Sequence, residues 1–431
     1  MPNKRLPPTK RIDNEINELR YNLGEDVAPK DVLGKLVKLA MRRIVQEVLE
    51  NEVSEVTGRD YYKHAAEAQG HRNGYEHSTL RTGEGHLDVL RPQVRNTAIP
   101  FESQTWPHIK KNTQQLEHMA VEMYVNGCST RDIEDLLKDE HGRILLSKSG
   151  VSRLNETLWT EYQKFCQQSL AGYDVAYIFI DAVYEPLRMF KSRSEAIVVV
   201  WGILTNGAKI LLSIRHGNKE SFENCREIFR DLKKRGMKDP VLGTTDGAPG
   251  MTKAFEQVFS KTLRQRCLFH KKGNILSKVP SIVISEMKID LNAVYYAPDQ
   301  KMARRNAKEF SWKYRPQYPS AVECFEDDLE ACIQHLRCPA KHRRHITTTN
   351  LVERSFGEEN RRSKVIPRFF TEKSGLKLIY AVLIRVAKRW NALKFTFDEQ
   401  AQILALRHDL KHDAVKERTI TKTNRKPYAL N

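Results

Sequence analysis

Three acidic residues stand where metal-assisted phosphoryl transfer would need them. Asp181 closes the hydrophobic run YIFID, Asp246 closes VLGTTD, and Glu353 lies in TTTNLVERSFGEENRRSK, which reads as the opening of a basic helix. Magnesium binds oxygen, uses one or two carboxylates per ion and keeps positions open for water and phosphate. Two such ions can activate an attacking oxygen and stabilise the leaving one in an in-line displacement. Singly, each residue is ordinary: an Asp after a strand caps a turn, Asp246-Gly247 is turn chemistry, and a helical Glu faces solvent. Held together they would repel and pay desolvation of several kcal/mol unless a cation joined them. The expected cofactor is therefore a pair of Mg2+ ions, with Mn2+ as a substitute. Arg188, Lys191 and the run Arg361-Arg362-Ser363-Lys364 are placed to neutralise phosphates, and Gly357, one turn after Glu353, leaves a bare patch for a close backbone.

A second set of side chains admits two readings. Cys267-x2-His270 and Cys338-x3-His342-x2-His345 have ligand types that suit a tetrahedral Zn2+ site. Their spacings match no standard finger, so buried cysteines with phosphate-facing histidines are the favoured reading. His270, at the end of a strand beside the carboxylates, would then help to position DNA.

The elements that must carry these residues follow from periodicity. Val175–Val183, Ala196–Leu204 and Lys209–Ile214 are β-rich, and Asn206-Gly207 between the last two is a hairpin signal. A helix bearing Phe222, Cys225, Phe229 and Leu232 stops at Gly236. Strand Val241–Thr245, helix Thr252–Phe259 and strand Gln265–Phe269 come next. An antiparallel meander running into parallel strands is the order of a ribonuclease-H-like α/β domain, with the first strand central and Asp181 beside Asp246. Residues 276–345 read as a helical insertion rich in charge and aromatics, and helices are expected over Thr349–Arg362 and Leu376–Trp390.

Upstream, Leu33, Leu36, Val37, Ala40, Ile44, Val48 and Leu49 share one helical face over Asp31–Val56, fit for a core or for self-association, and residues 74–95 suggest a small β-element. Leu116, Met119, Ala120, Met123 and Tyr124 form a second stripe. Ser129 and Asp132 have capping-box spacing for the next helix, and Ser149 can cap a third. Helix, glycine turn, short helix and polar-faced helix fit a helix-turn-helix or a plain three-helix bundle. The basic chain favours DNA, with Lys148, Arg153 and Asn155 as contacts.

Composition narrows the class. The 431 residues carry 72 Lys and Arg against 54 Asp and Glu, a net charge of +18, so a polyanionic partner is expected. No apolar run reaches the roughly 20 residues of a membrane span, and MPNKRLPPTKR lacks the apolar core of a secretory signal. Seven cysteines read as reduced thiols, hence a cytoplasmic, nucleoid-associated protein with no membrane partner. The organisation expected is an N-terminal helical and small-β region (1–110) for end binding or self-association, and a helix-turn-helix-like segment (111–165). A catalytic core (170–275) follows, interrupted by the insertion (276–345) and resumed with the glutamate helix (346–395), before a charged tail (396–431).

YIFIDAVYEPLR, VLGTTDGAPG, LRQRCLFHKKGN and TTNLVERSFGEENRRSKVIPRF, with MYVNGCSTRDIEDLL and SGVSRL upstream, resemble the successive motifs of Mutator-type transposases of bacterial insertion sequences over about residues 30–395. The resemblance implies a DDE transposase with Asp181, Asp246 and Glu353 as the metal-binding triad. Cys267 and His270 match its C-x2-H element, and Asn350, Arg354 and Arg361 its signature around the glutamate. It further implies binding of terminal inverted repeats, Mg2+-dependent cleavage and strand transfer on double-stranded DNA, and at least a homodimer. A DNA-binding regulator, a nuclease that cuts without joining, and a zinc-dependent hydrolase are the alternatives.

Overall fold

The computed structural model describes residues 6–21, 29–61, 63, 69–109, 111–185, 195–217, 221–363 and 372–410. The chain divides into two compact units, Met1–Glu156 and Thr157–Asn431.

In the first unit, α1 (Pro8–Tyr21) lies on α2 (Pro29–Thr57), fastened by Arg42–Glu15 and Arg43–Asp13 ion pairs of 2.8 and 2.7 Å. Strands β1 (His71–Thr82) and β2 (Gly85–Arg95) form an antiparallel hairpin whose Leu80, Leu87 and Val89 pack against Met41 and Val45 of α2. The apolar face read on α2 as fit for a core or for self-association is not a core face within this unit: Leu33, Val37, Ile44 and Val48 stay exposed, and only Leu49 of the named set is buried. Polar groups explain the inversion. Gln46 exchanges two hydrogen bonds with the backbone of Leu90, at 2.7 and 2.9 Å, and Glu50 accepts from Arg72 and Tyr75, both at 2.7 Å. Paired in this way, polar side chains pack the buried face at little desolvation cost.

After the short α3 (Trp106–Ile109) come α4 (Gln114–Val125), α5 (Thr130–Leu136) and α6 (Lys148–Leu154), in mutual contact. Thr113 caps α4, and Ser129 and Asp132 form the expected capping box on α5. Ser147, not Ser149, caps α6, by accepting from the backbone N–H of Gly150.

The second unit opens with α7 (Glu156–Gln167), which the sequence had attached to the preceding helices; its Tyr162 and Phe165 instead join the core of the sheet. That sheet has the order β5-β4-β3-β6-β7, with β3 (Val175–Glu185), β4 (Glu195–Leu204) and β5 (Lys209–Gly217) antiparallel, and β6 (Leu242–Thr245) and β7 (Leu263–Arg266) parallel to β3. The architecture is thus mixed α/β. Alternation along the strands splits the core into two layers. Ile178, Ile180, Val198 and Val200 meet α8 (Phe222–Lys234) and α9 (Pro249–Val258) through Phe229 and Phe255. Tyr177, Phe179, Val199 and Trp201 face the other way.

β7 ends at Arg266, three residues short of the expected Phe269, because α10 (Leu268–Leu276) begins there. A helical lobe follows: α11 (Ser281–Tyr295), α12 (Gln300–Tyr314), α13 (Pro319–Glu326), α14 (Leu329–Cys332) and a 3-10 turn (Gln334–Arg337), built around Met287, Leu291, Phe310 and Phe325. The chain returns through α15 (Ala340–Ile346) to α16 (Asn350–Ser363) and α17 (Glu372–Arg389), whose Val352, Phe356, Ile379 and Leu383 cover the second face of the sheet. The expected charged tail from 396 is partly a helix, α18 (Phe397–Asp409). Its Ile403 and Leu406 complete the same layer, while Arg407 holds Asp174 at 2.6 Å and the Val175 carbonyl at 2.7 Å. The apolar run Ile403-Leu404-Ala405-Leu406, flanked by charge on both sides, carries this helix. The tail beyond 410 lies outside the described residues. No helix among the described residues is long and apolar enough to cross a membrane.

The β4–β5 hairpin is locked to the chain after α17. Gly207 has φ +83°, its carbonyl accepts from Leu393 N at 2.8 Å, and a Cβ there would stand 1.8 Å from the Leu393 carbonyl oxygen. Gly207→Ala should therefore destabilise the second unit by at least about 2 kcal/mol, seen as a lowered Tm, because both the left-handed conformation and the contact oppose a side chain.

Candidate active site

Ile180 of β3 pairs in parallel with Thr245 of β6. Asp181, still within β3, and Asp246, just past β6, therefore come side by side, and by alternation both belong to the face carrying Tyr177, Phe179 and Thr244. That face is the one α16 covers, so Glu353, in its first turn, comes to the same place. One ligand atom each of Asp181, Glu353 and His270 lie within 4.8 Å of one another. His270 Nε2 stands 3.4 Å from Glu353 Oε1, and this buried nitrogen makes no hydrogen bond among the described residues.

The electrostatics show what the cluster lacks. Burial, then the neighbouring charges of Asp246 and Glu353, push the Asp181 carboxyl up to about 7, against partial relief from hydrogen bonds of Ala182 and Thr349. Asp181, Asp246 and Glu353 come close enough to disfavour ionisation of Asp181, and beside them stands the His270 imidazole nitrogen, which makes no hydrogen bond among the described residues. Oxygen and nitrogen donors in this arrangement fit a divalent cation. Asp246 lies outside the mutually close triplet, yet near enough to raise Asp181.

Two residues that hold the site together were missed in the sequence. Thr349, fully buried just before α16, donates from Oγ1 to Glu353 Oε1 at 3.3 Å, and both its backbone N–H and hydroxyl approach Cys267 Sγ at 3.4 and 3.5 Å. Arg266 lays its guanidinium on Gly247, where φ is +86° and an added Cβ would sit 0.6 Å from Nη1, so a cation lies beside the backbone of Asp246. A threonine in TTTN and an arginine ending a strand carry no sequence signal of their own; only the register Thr245–Arg266 marks the latter.

Cys267 is a structural joint. Its N–H bonds Thr245 O at 2.8 Å, it precedes α10, and burial pushes its thiol up. Among the described residues the Cys and His side chains proposed for zinc do not gather into one metal-binding group. His342 Nδ1 is 2.8 Å from the Tyr177 hydroxyl, its Nε2 is 3.6 Å from Glu399, and His345 Nε2 accepts from Arg344. Tyr177 also lies against Cys338. On α16, Asn350, Arg354 and Arg361 are exposed, Arg361 pairing with Glu358 at 2.6 Å, and Gly357 is open. The side chain of Arg362 and all of Arg188, Lys191 and Lys364 lie outside the described residues. In the first unit, Lys148 and Arg153 are exposed on α6, whereas Asn155 is buried at its end and offers no side chain to a groove.

Comparison with known proteins fits this geometry. A family model described as Transposase, Mutator family, matches residues 17–392. The chain belongs to that family. It is 32% identical over 272 residues to the transposase for insertion sequence element IS6120 of Mycolicibacterium smegmatis, covering 63% of this chain and 84% of the relative. The transposase for ISRM5 of Rhizobium meliloti is 28% identical over 351 residues, 81% of this chain and 87% of its own. That for IS256 in Tn4001 of Staphylococcus aureus is 26% identical over 375 residues, 86% and 93% of the two chains.

The Asp181 shift has a measurable consequence for this transposase. From its ordinary 3.8 to about 7, the metal-free native state keeps a proton that the unfolded chain has released, so stability contributed by Asp181 falls as pH rises through that window. Asp181→Asn should therefore raise the Tm in chelator at pH 8, by on the order of a few kcal/mol of stability, and leave it unchanged near pH 4. Thr349→Val should weaken binding of an added divalent cation about tenfold by freeing Glu353, with Thr349→Ser near wild type.

Proposed function

We propose that the chain is the transposase of a bacterial insertion sequence, a DDE enzyme that binds the terminal inverted repeats of its element, cuts the DNA and joins the freed ends to a target. The convergence of Asp181, Asp246 and Glu353 at one end of the sheet carries this reading. The strand order supports a ribonuclease-H-like core with 276–345 as its insertion, and α4–α6, with Lys148 and Arg153 outward, support a helix-turn-helix reading unit.

Asp181, Asp246 and Glu353 would hold a pair of Mg2+ ions, and His270 is in reach of the same position. Such ions, when bound, supply charge neutralisation on the attacking and leaving oxygens. The side chains do the rest. Thr349 fixes Glu353, and Arg266 steadies the turn after Asp246. Asn350, Arg354 and Arg361, exposed on α16, bind phosphates, and Arg362 and Lys364 are assigned the same role from the sequence alone. In cleavage, water attacks phosphorus and the 3′-oxygen leaves, taking a proton. In joining, that 3′-hydroxyl attacks a target phosphodiester, loses its proton, and a new 3′-oxygen departs. One bond forms for each bond broken, so no covalent protein intermediate is required. Synapsis of two ends requires a homodimer or larger assembly, working on nucleoid DNA in the cytoplasm.

Pre-cut terminal fragments incubated with the protein, Mg2+ and a supercoiled plasmid should give joined products. Asp181→Ala, Asp246→Ala and Glu353→Ala should each lose more than about a hundredfold of that activity while keeping end binding. Cutting without joining would leave a nuclease, binding without cutting a regulator. Full activity in Glu353→Ala would move the third carboxylate to Glu358 or Glu359.

A further inference from the structure

The junction between β6 and α9 gathers polar groups that have no partner among the described residues. Thr245 ends β6 and is fully buried, yet its Oγ1 makes no hydrogen bond there. Thr252 Oγ1, in the first turn of α9, and Arg266 Nε are likewise buried and unpartnered. The register of the sheet brings the three together. Thr245 pairs with Arg266 across β6 and β7, so both side chains belong to the face that α9 covers. Phe255 packs on Gly243, two residues before Thr245, and the preceding turn of α9, with Thr252, therefore lies over the end of β6.

Two features make this junction suit an anion. The first is the start of α9, which has no side-chain cap: Ala248 offers no acceptor, and Pro249 has no N–H to give. The remaining first-turn amides are free donors at the positive end of a ten-residue helix. The second is the charge of Arg266. Its guanidinium lies on Gly247, the residue after Asp246, where an added Cβ would meet Nη1 at 0.6 Å. Asp328 feels that charge, but Arg264 occupies both of its oxygens. A guanidinium is a planar fork of five donors that matches phosphate oxygens. We propose that Arg266 and the first turn of α9 form a phosphate site, which holds a phosphodiester of the DNA strand next to the one at the carboxylates.

Position selects that ligand. The site adjoins Asp246, and three acidic side chains repel a free anion that comes near them. A phosphate tethered along a strand arrives because its neighbour is held at the carboxylates. Arg266 then fixes the register of the strand, and with it which bond is presented for cleavage.

This role rests on the strand-transfer reading, and binding measured in chelator tests it without cleavage. Terminal-repeat duplexes carrying one neutral methylphosphonate at each position around the cut are titrated with the full-length protein. For the wild type, one position beside the cut should cost about tenfold in affinity. Arg266→Gln should bind the unmodified duplex about tenfold more weakly and lose its sensitivity at that position alone, because both changes remove one contact. Arg266→Lys keeps the charge without the fork, so it should keep the wild-type Tm and show an intermediate sensitivity. Full sensitivity at that position in both variants overturns the site, since Arg266 would then act only by bracing Gly247. A wild type indifferent to every position overturns it as well, and if that protein nicks DNA in Mg2+ the strand-transfer reading still stands. Coupled loss at one position in a protein that never nicks DNA keeps the site and removes the enzyme.

Discussion

The parallel pairing of β3 with β6 is the constraint on which the chemistry depends. With Ile180 opposite Thr245, the chain cannot leave the two strands without setting Asp181 and Asp246 side by side. A register slip of one residue would send one carboxylate to the opposite face of the sheet, into the layer filled by Phe229 and Phe255. The hydrophobic layers on both faces therefore fix the placement of the two carboxylates as well as the fold, since they are what makes any other register costly.

The third carboxylate arrives by a different route. Glu353 is separated from the first strands by the whole helical lobe, and its position is set where the chain re-enters the sheet. There, Thr244 donates to Ile346 O at 2.7 Å, Leu268 N donates to Thr347 O at 2.9 Å, and Thr349 contacts Cys267. The start of α10 and the start of α16 are stitched to the same strand ends. His270 and Glu353 thus come within 3.4 Å although 83 positions apart in sequence numbering, 353 against 270. This joint explains the C-x2-H pattern without zinc: the cysteine ties backbone segments, and the histidine faces the acidic group.

Charge is distributed unevenly for a reason. The site gathers negative groups and leaves Asp181 hard to ionise, a condition that costs stability in the absence of a cation and favours capture of one. Elsewhere the excess of Lys and Arg is partly spent on internal pairing, as in Arg264–Asp328 and Arg407–Asp174, and partly left on exposed surfaces such as α6 and α16. Net charge alone marks a polyanion as partner; only burial and pairing tell which cations remain available to it.

Much was legible in the sequence. The strands from Val175, Glu195 and Lys209, the hairpin at Asn206-Gly207 and the capping box at Ser129 are local patterns, and local patterns survive folding, although β3 runs on past Asp181 to Glu185 where the sequence had Asp181 closing it. What the tertiary structure alone decided involves partners distant along the chain. Those are the choice of α2 face, settled by Gln46 and Glu50; the packing of α18 into the core; the withdrawal of Asn155; the separation of Cys267 from Cys338 and His342; and the roles of Thr349 and Arg266. Periodicity reports which residues could be buried together on one element, whereas a long-range hydrogen bond or the approach of two chain segments depends on coordinates that no single stretch of sequence contains.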